Sequence, residues 1–185
     1  MEQIPRVGGI YSRSFGFPGI PVALRKEQFN IPTTYEVGPA TVRAPGGVDV
    51  AAHTASIDIP PPFVWRNREI VNNRINRSQP LLVEYGAQGF DYVNIRVFSA
   101  ATANPNSPEQ DIIGALFCAG NPNADSFTIP AHALSALPRS ATVDGTPTGF
   151  MWVGGWKTNS FSATGIEFGT TFYSDTIVTT GLDIN

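Results

Sequence analysis

The sequence is poor in charge, in cysteine and in histidine. Only 15% of its 185 residues are charged, against about a quarter in an ordinary globular protein. Twelve basic residues face fifteen acidic ones, giving a net charge of −3. No global field therefore draws the chain to nucleic acid or to an anionic membrane. The one cysteine, Cys118, excludes an internal disulfide. Its flanks, Ala-Leu-Phe and Ala-Gly, read as those of a buried strand residue. No run approaches the roughly 20 apolar residues of a membrane-crossing helix. Gly-x-Ser-x-Gly, His-Glu-x-x-His, P-loop and Gly-x-Gly-x-x-Gly patterns are all missing. Residues 1–16 lack a basic start followed by an apolar stretch, so they do not read as a signal peptide.

The missing charge is replaced by 18 glycines, 16 prolines and many Ser, Thr and Asn residues. That balance suits a turn-rich all-β protein. Alternation is the dominant period. Val93, Ile95 and Val97 share one face of a strand, and Asn94 and Arg96 the other. Ala55, Ile57 and Ile59 oppose Ser56 and Asp58 in the same way. FGTTFYSD and TIVTTGLD predict a closing hairpin around Ser174–Asp175. Gly-Gly and Pro-Gly pairs, Gly154–Gly155 among them, predict turns. One segment departs from this period. Pro130 can open a helix, Ala133, Leu134 and Leu137 give it an apolar face, and Pro138 ends it. Pro60–Pro62 predict a stiff connector. It separates an N-terminal β segment, 1–60, from a sandwich domain, 63–185. The first segment is either a partial sandwich or strands packed on the second unit. The expected fold is an antiparallel Greek-key-like β-sandwich, immunoglobulin-like in broad terms, with one short helical insert at 130–138. A jelly roll is the nearest rival.

Several residues in a fixed order carry a resemblance. They are Tyr35, Val37, Gly46–Gly47, Pro60, Trp65, Asn67, Asn76–Arg77–Ser78, Cys118, Phe127–Thr128, Pro130, Leu134 and Leu137–Pro138. Over about residues 35–170 the chain resembles a recurrent C-terminal β-sandwich module of large secreted or surface proteins of Acidobacteria-type bacteria. The resemblance implies an extracellular or cell-surface location and carries no assigned activity. Beside it, the lack of a signal peptide reads as truncation of a longer protein.

The candidate chemistry is sparse. His53 and His132 lack partners at metal-ligand spacing, so a surface or capping role is the plainer reading. A Cys118–His132 nucleophile pair lacks anything to activate the thiol. Glu84 and Asp91 flank a predicted turn and could meet as a glycosidase would require, but turn acids are common. Asn104, Asn106, Glu109 and Asp111 supply oxygens without the order of a calcium loop. Asn76–Arg77–Ser78 matches a glycosylation sequon and reads as an Asx turn. Arg66, Arg68, Arg74 and Arg77 form a basic cluster beside Trp65. They could hold phosphate or stack a base, but ion pairing and apolar coverage explain them as well. Trp152 and Trp156, with Tyr92 and Trp65, are the candidate binding aromatics. Loops 86–90, 100–111 and 154–160 are candidate recognition loops.

The sequence therefore predicts a non-catalytic structural or interaction module with no cofactor and no metal. Its expected partners are other protein domains or copies of itself, with no nucleic acid and no membrane insertion. Pairing of strand edges between copies is one expected route. The alternative is a carbohydrate-binding module using exposed tryptophans, with cell-surface polysaccharide as the partner.

Overall fold

The computed structural model describes residues 6–7, 10–11, 36–71, 73–102 and 111–185. The chain divides into two compact units, Met1–Glu36 and Val37–Asn185. The first contains one antiparallel pair, β1 (Arg6–Val7) with β2 (Ile10–Tyr11). The second holds everything that follows. The Pro60–Pro62 connector lies inside this second unit, and residues 37–59 belong to it together with 63–185.

The fold is an all-β sandwich. Its large layer is a five-stranded sheet built mostly from two long hairpins. One hairpin is β8 (Tyr92–Thr102) with β9 (Asp111–Gly120). The other is β13 (Gly149–Ala163) with β14 (Ile166–Ile184). β13 returns to pair antiparallel with β8, so the two hairpins lie side by side. This return beside the first strand of the earlier hairpin is the Greek-key-like feature. A short strand, β6 (Arg74–Ile75), adds to β14 in parallel and closes one edge. β9 forms the other edge.

The second layer is a three-stranded sheet. Its central strand, β7 (Leu81–Gly86), lies between β10 (Ser126–Ile129) and β5 (Val64–Trp65). Both of its neighbours run antiparallel to it. Period-two alternation buries Val83 and Tyr85 on β7 and Val93, Ile95 and Val97 on β8. Met151 and Val153 face them from β13. Together with Trp65, Phe63, Phe90, Ile129, Leu182 and Ile184 they make one core. The turn at 86–90 joins β7 to β8, which lie in different sheets, so it crosses between layers and is no hairpin.

The helical insert is α1 (Ala131–Ser135). Pro130 occupies the cap position in an extended conformation, where its lack of an N–H costs nothing. Leu134 and Leu137 are buried in the core, and Ala133 packs against it. The insert closes one end of the sandwich, as its apolar spacing predicts. A 3-10 turn (Arg68–Val71) buries Val71 nearby. A small hairpin, β11 (Thr142–Val143) with β12 (Thr146–Pro147), turns on Asp144–Gly145. Both turn residues have positive φ, the geometry that Asp-Gly favours in a two-residue hairpin loop.

Two expectations about the C-terminal third need correction. Ser174–Asp175 is not a turn but lies in mid-strand in β14, and the hairpin reverses instead at Thr164–Gly165. Gly154–Gly155 is not a turn either, since it lies inside β13. These glycines serve close approach. A Cβ on Gly155 would sit 2.4 Å from the Phe90 ring, and one on Gly154 would sit 2.4 Å from the Asp175 carbonyl oxygen. Within β14 it is Gly181 that deforms the backbone, with φ +72. The register moves from Phe150↔Thr180 to Gly149↔Leu182, so Gly181 is the extra residue of a bulge. The bulge shifts the inward positions from odd to even numbers. Leu182 and Ile184 consequently reach the core that Thr179 faced before them.

Beyond Trp156 and Tyr92, β13 and β14 run on past β8 as a two-stranded arm. A hairpin of β3 (Gly38–Ala44) and β4 (His53–Ile59) packs on the arm. Ser56 O accepts from Asn159 Nδ2 at 2.8 Å and from Thr171 Oγ1 at 3.0 Å. His53 stacks on Phe161 with ring centroids 5.2 Å apart. These arm residues all have odd numbers and share the inner side. The β3–β4 hairpin thus covers the inner side of the arm, and even-numbered arm residues such as Ser160, Phe168 and Phe172 are exposed.

Candidate functional site on the outer face of the large sheet

Because β13 is continuous, Trp152, Gly154 and Trp156 point to the same side. The register sets Trp152 beside Arg96 on β8, and Arg96 beside Phe117 on β9. Phe150 stands next to Phe98, and Trp156 next to Tyr92. All of these occupy the outer face, opposite the core residues Val93, Ile95, Val97, Met151 and Val153.

The rings form two clusters. In the first, Phe98 stacks on Phe150 at 4.6 Å, meets Phe117 edge-on at 5.6 Å and lies 5.9 Å from Trp152. In the second, Trp156 lies 5.4 Å from Tyr92 and meets Phe172 edge-on at 4.9 Å. Arg96 bridges them. Its guanidinium carbon is 5.1 Å from the Trp156 ring centre and 5.6 Å from those of Trp152 and Phe117, within cation–π range. Its Nε donates to Asn94 Oδ1. Its terminal NH groups have no hydrogen-bond partner among the described residues. The core of the patch is half-buried by ring-on-ring packing, and its margins are open: Phe117 is 60% and Phe172 51% exposed.

One end carries a polar clamp. Asp91 accepts from Lys157 Nζ at 2.8 Å, and from Thr158 N and Oγ1 at 2.8 and 3.0 Å. Partial burial alone would raise the Asp91 carboxyl. The Lys157 and Thr158 bonds outweigh it and hold the group below the ordinary carboxylate range. A carboxylate held ionised and fully bonded is a poor general acid.

The sequence-predicted site residues separate cleanly. Trp152, Trp156 and Tyr92 come together on the outer face. Trp65 does not join them. It is buried in the core, and its Nε1 donates to Asn67 Oδ1 at 3.2 Å. The four arginines of the basic cluster turn to different places. Arg66 pairs with Asp125 at 3.1 Å. Arg68 bonds Thr179 Oγ1 and the Val178 carbonyl. Arg74 lies 4.0 Å from Asp183. Arg77 donates to the Ser135 and Leu137 carbonyls, tying down the end of α1. Arg74 and Arg77 also line a shallow cleft of about 440 Å³ with Arg139, Asn76 and Ser78. Asn76 Oδ1 accepts from Ser78 N at 2.9 Å and from Ser78 Oγ, the Asx turn expected of this triplet.

The remaining candidates fall outside the face or outside the described residues. Of the predicted recognition loops, 154–160 is strand. Most of 100–111 lies outside the described residues, and so do the calcium-loop oxygens of Asn104, Asn106 and Glu109. Cys118 sits half-buried on the inner side of β9, and burial pushes its thiol pKa up, the wrong direction for a nucleophile. His132 is exposed on α1. Among the described residues no cluster of His, Cys, Asp or Glu could hold a metal ion. No helix of the described residues is long and apolar enough to cross a membrane.

Arg96, Phe98, Phe117, Phe150 and Phe172 were not among the candidate site residues read from the sequence. The signal was present in phase. Alternation in DYVNIRVF sets Arg96 opposite the apolar positions. The same period carried through Gly154–Gly155 aligns Phe150, Trp152 and Trp156. What sequence could not supply was the register that lays these strands side by side. No protein-family model, no curated protein and no solved structure matches the chain.

Proposed function

We propose that this chain is a non-catalytic interaction module of an extracellular or cell-surface bacterial protein, and that it docks partner protein through the outer face of its five-stranded sheet. One observation carries the reading: an aromatic mosaic is turned away from the core and centred on Arg96, whose terminal NH groups have no hydrogen-bond partner among the described residues. Contiguous apolar surface of this kind marks contact sites. Trp, Tyr and Arg are the residue types that dominate binding energy at interface centres. The terminal NH groups of the guanidinium fit a carboxylate on the partner. The extracellular location is supported by the low charge, the Gly, Pro, Ser and Thr content, and the resemblance to secreted modules.

A second reading has its own observation. Trp152, Trp156 and Tyr92 share one face, and sugar rings stack on such surfaces. Against it, the rings are tilted: Tyr92 and Trp156 stand at 56° and Trp156 and Phe172 at 86°. A flat glycan would touch few of them squarely.

Iodide quenching of tryptophan emission, with and without soluble polysaccharides, tests both. The docking reading expects quenching that no polysaccharide relieves. It also expects a cross-linked protein partner that is retained by wild type and lost with Trp152→Ala and with Arg96→Gln. Protection by one glycan, abolished in Trp152→Ala and Trp156→Ala, would replace it with the carbohydrate-binding reading.

A further inference from the structure

The edge strand β9 differs from the other strand edges of the sandwich. It is ten residues long, whereas the opposite edge of the sheet, β6, has two. Natural proteins blunt long edges with lysine, proline, bulges or a covering segment. Residues 112–120, IIGALFCAG, contain no charge and no proline. The register to β8 runs unbroken from Thr102↔Asp111 to Val93↔Gly120. Among the described residues, none outside β8 makes a backbone hydrogen bond to Ile112–Ala119. Apolar side chains are exposed along it: Ile113 is 73%, Phe117 60% and Ile112 57% exposed.

We propose that β9 is a homotypic pairing site, at which a second copy of this chain adds its own β9 antiparallel across a two-fold axis. The inference extends the interaction-module reading and rests on it. The strand is self-complementary in one register. Centred on Ala115, the pairing sets Ile113 opposite Phe117 of the second copy, twice by symmetry. Aromatic with β-branched is a favourable cross-strand pair. Small residues meet at the axis, and the inner face sets Gly114 opposite Leu116. Residues 112–120 carry no charge, and the register sets Asp111 opposite Ala119 and not opposite its own copy, so like-charge repulsion across the pair, the usual barrier to self-pairing, is small. Shifting the centre to Leu116 would instead set Ile113 opposite Ala119 and lose the pair.

The symmetry has a functional consequence. A two-fold axis relating antiparallel edge strands stands perpendicular to the sheet, so both outer faces point the same way. Phe117 lies at the junction, and the two Arg96-centred mosaics become one continuous platform. A partner that engages both gains by effective concentration without any new kind of contact.

The test is light scattering across a range of protein concentration, together with cysteine cross-linking in a Cys118→Ser background. Ala115→Cys should form an intermolecular disulfide, because directly opposed residues of an antiparallel pair lie about 4.5–5.5 Å apart at Cα, within disulfide reach. Ala119→Cys should not, since its symmetry mate lies about 27 Å away along the strand at about 3.4 Å per residue. Ile113→Lys should give monomer with unchanged circular dichroism. Trp152→Ala should remain dimeric, which separates failure of the edge from failure of the outer face. A monomer at every concentration overturns the proposal. So does a dimer that survives Ile113→Lys, one that links through Ala119→Cys, or one that is lost with Trp152→Ala, since the last would mean that the copy docks on the aromatic face.

Discussion

Single side chains decide two features of this molecule. Asn67 is buried and makes three hydrogen bonds. Its Oδ1 accepts from Trp65 Nε1 at 3.2 Å and Glu84 N at 2.8 Å, and its Nδ2 donates to the Leu82 carbonyl at 2.9 Å. It ties β5 and β7 together and satisfies the one polar atom of a core tryptophan. Asn67→Ala would leave these groups unpaired out of water, at an expected loss on the order of 2–3 kcal/mol, read from urea unfolding. Asp91 acts at the surface. Its folded-state pKa is lowered, so its contribution to stability is present above the unfolded value of 3.8. The contribution is lost as pH falls through the lowered folded value. Asp91→Asn should therefore lower the thermal midpoint at neutral pH, and the gap to wild type should close on acidification below pH 3.8. A gap that stays constant with pH would mean that packing, and not charge, holds the clamp. Asp91 was legible in the sequence as a turn acid. Its partners Lys157 and Thr158 were not, because they sit 66 and 67 positions away.

At the level of elements, alternation identified β4 and β8, and the Pro-bounded Leu134–Leu137 spacing identified α1. These signals are local, since one face of each element meets the core and the other does not. Local cues failed where glycine had two meanings. Gly154–Gly155 reads as a turn in sequence yet lies within a strand, because Phe90 and the β14 backbone press against it. Gly181 carried no turn expectation, yet it makes the bulge that re-aims Leu182 and Ile184. Gly181→Ala has room, its nearest neighbour being Thr146 Cγ2 at 3.7 Å, but it forces a side chain into left-handed backbone. The expected cost is about 1–2 kcal/mol, measured by urea unfolding. A neutral result would indicate that the bulge can relax.

For the whole molecule, the three tryptophans report on different layers. A variant carrying Trp152→Phe and Trp156→Phe retains only Trp65. Its emission should be blue-shifted, insensitive to iodide, and should redden in step with the circular dichroism as the sandwich unfolds. Iodide-sensitive emission from that variant would contradict a buried Trp65. The sequence by itself determined the fold class and the helical insert, because composition, period-two patterning and proline placement are properties of neighbouring residues. Only the tertiary structure decided which aromatics meet. Tyr92, Arg96, Phe117, Trp152 and Phe172 lie on four strands, and their assembly depends on strand order and register, quantities fixed by long-range pairing and by core packing on the opposite face. The same long-range order leaves β9 at the edge, a position that no local pattern in its residues encodes.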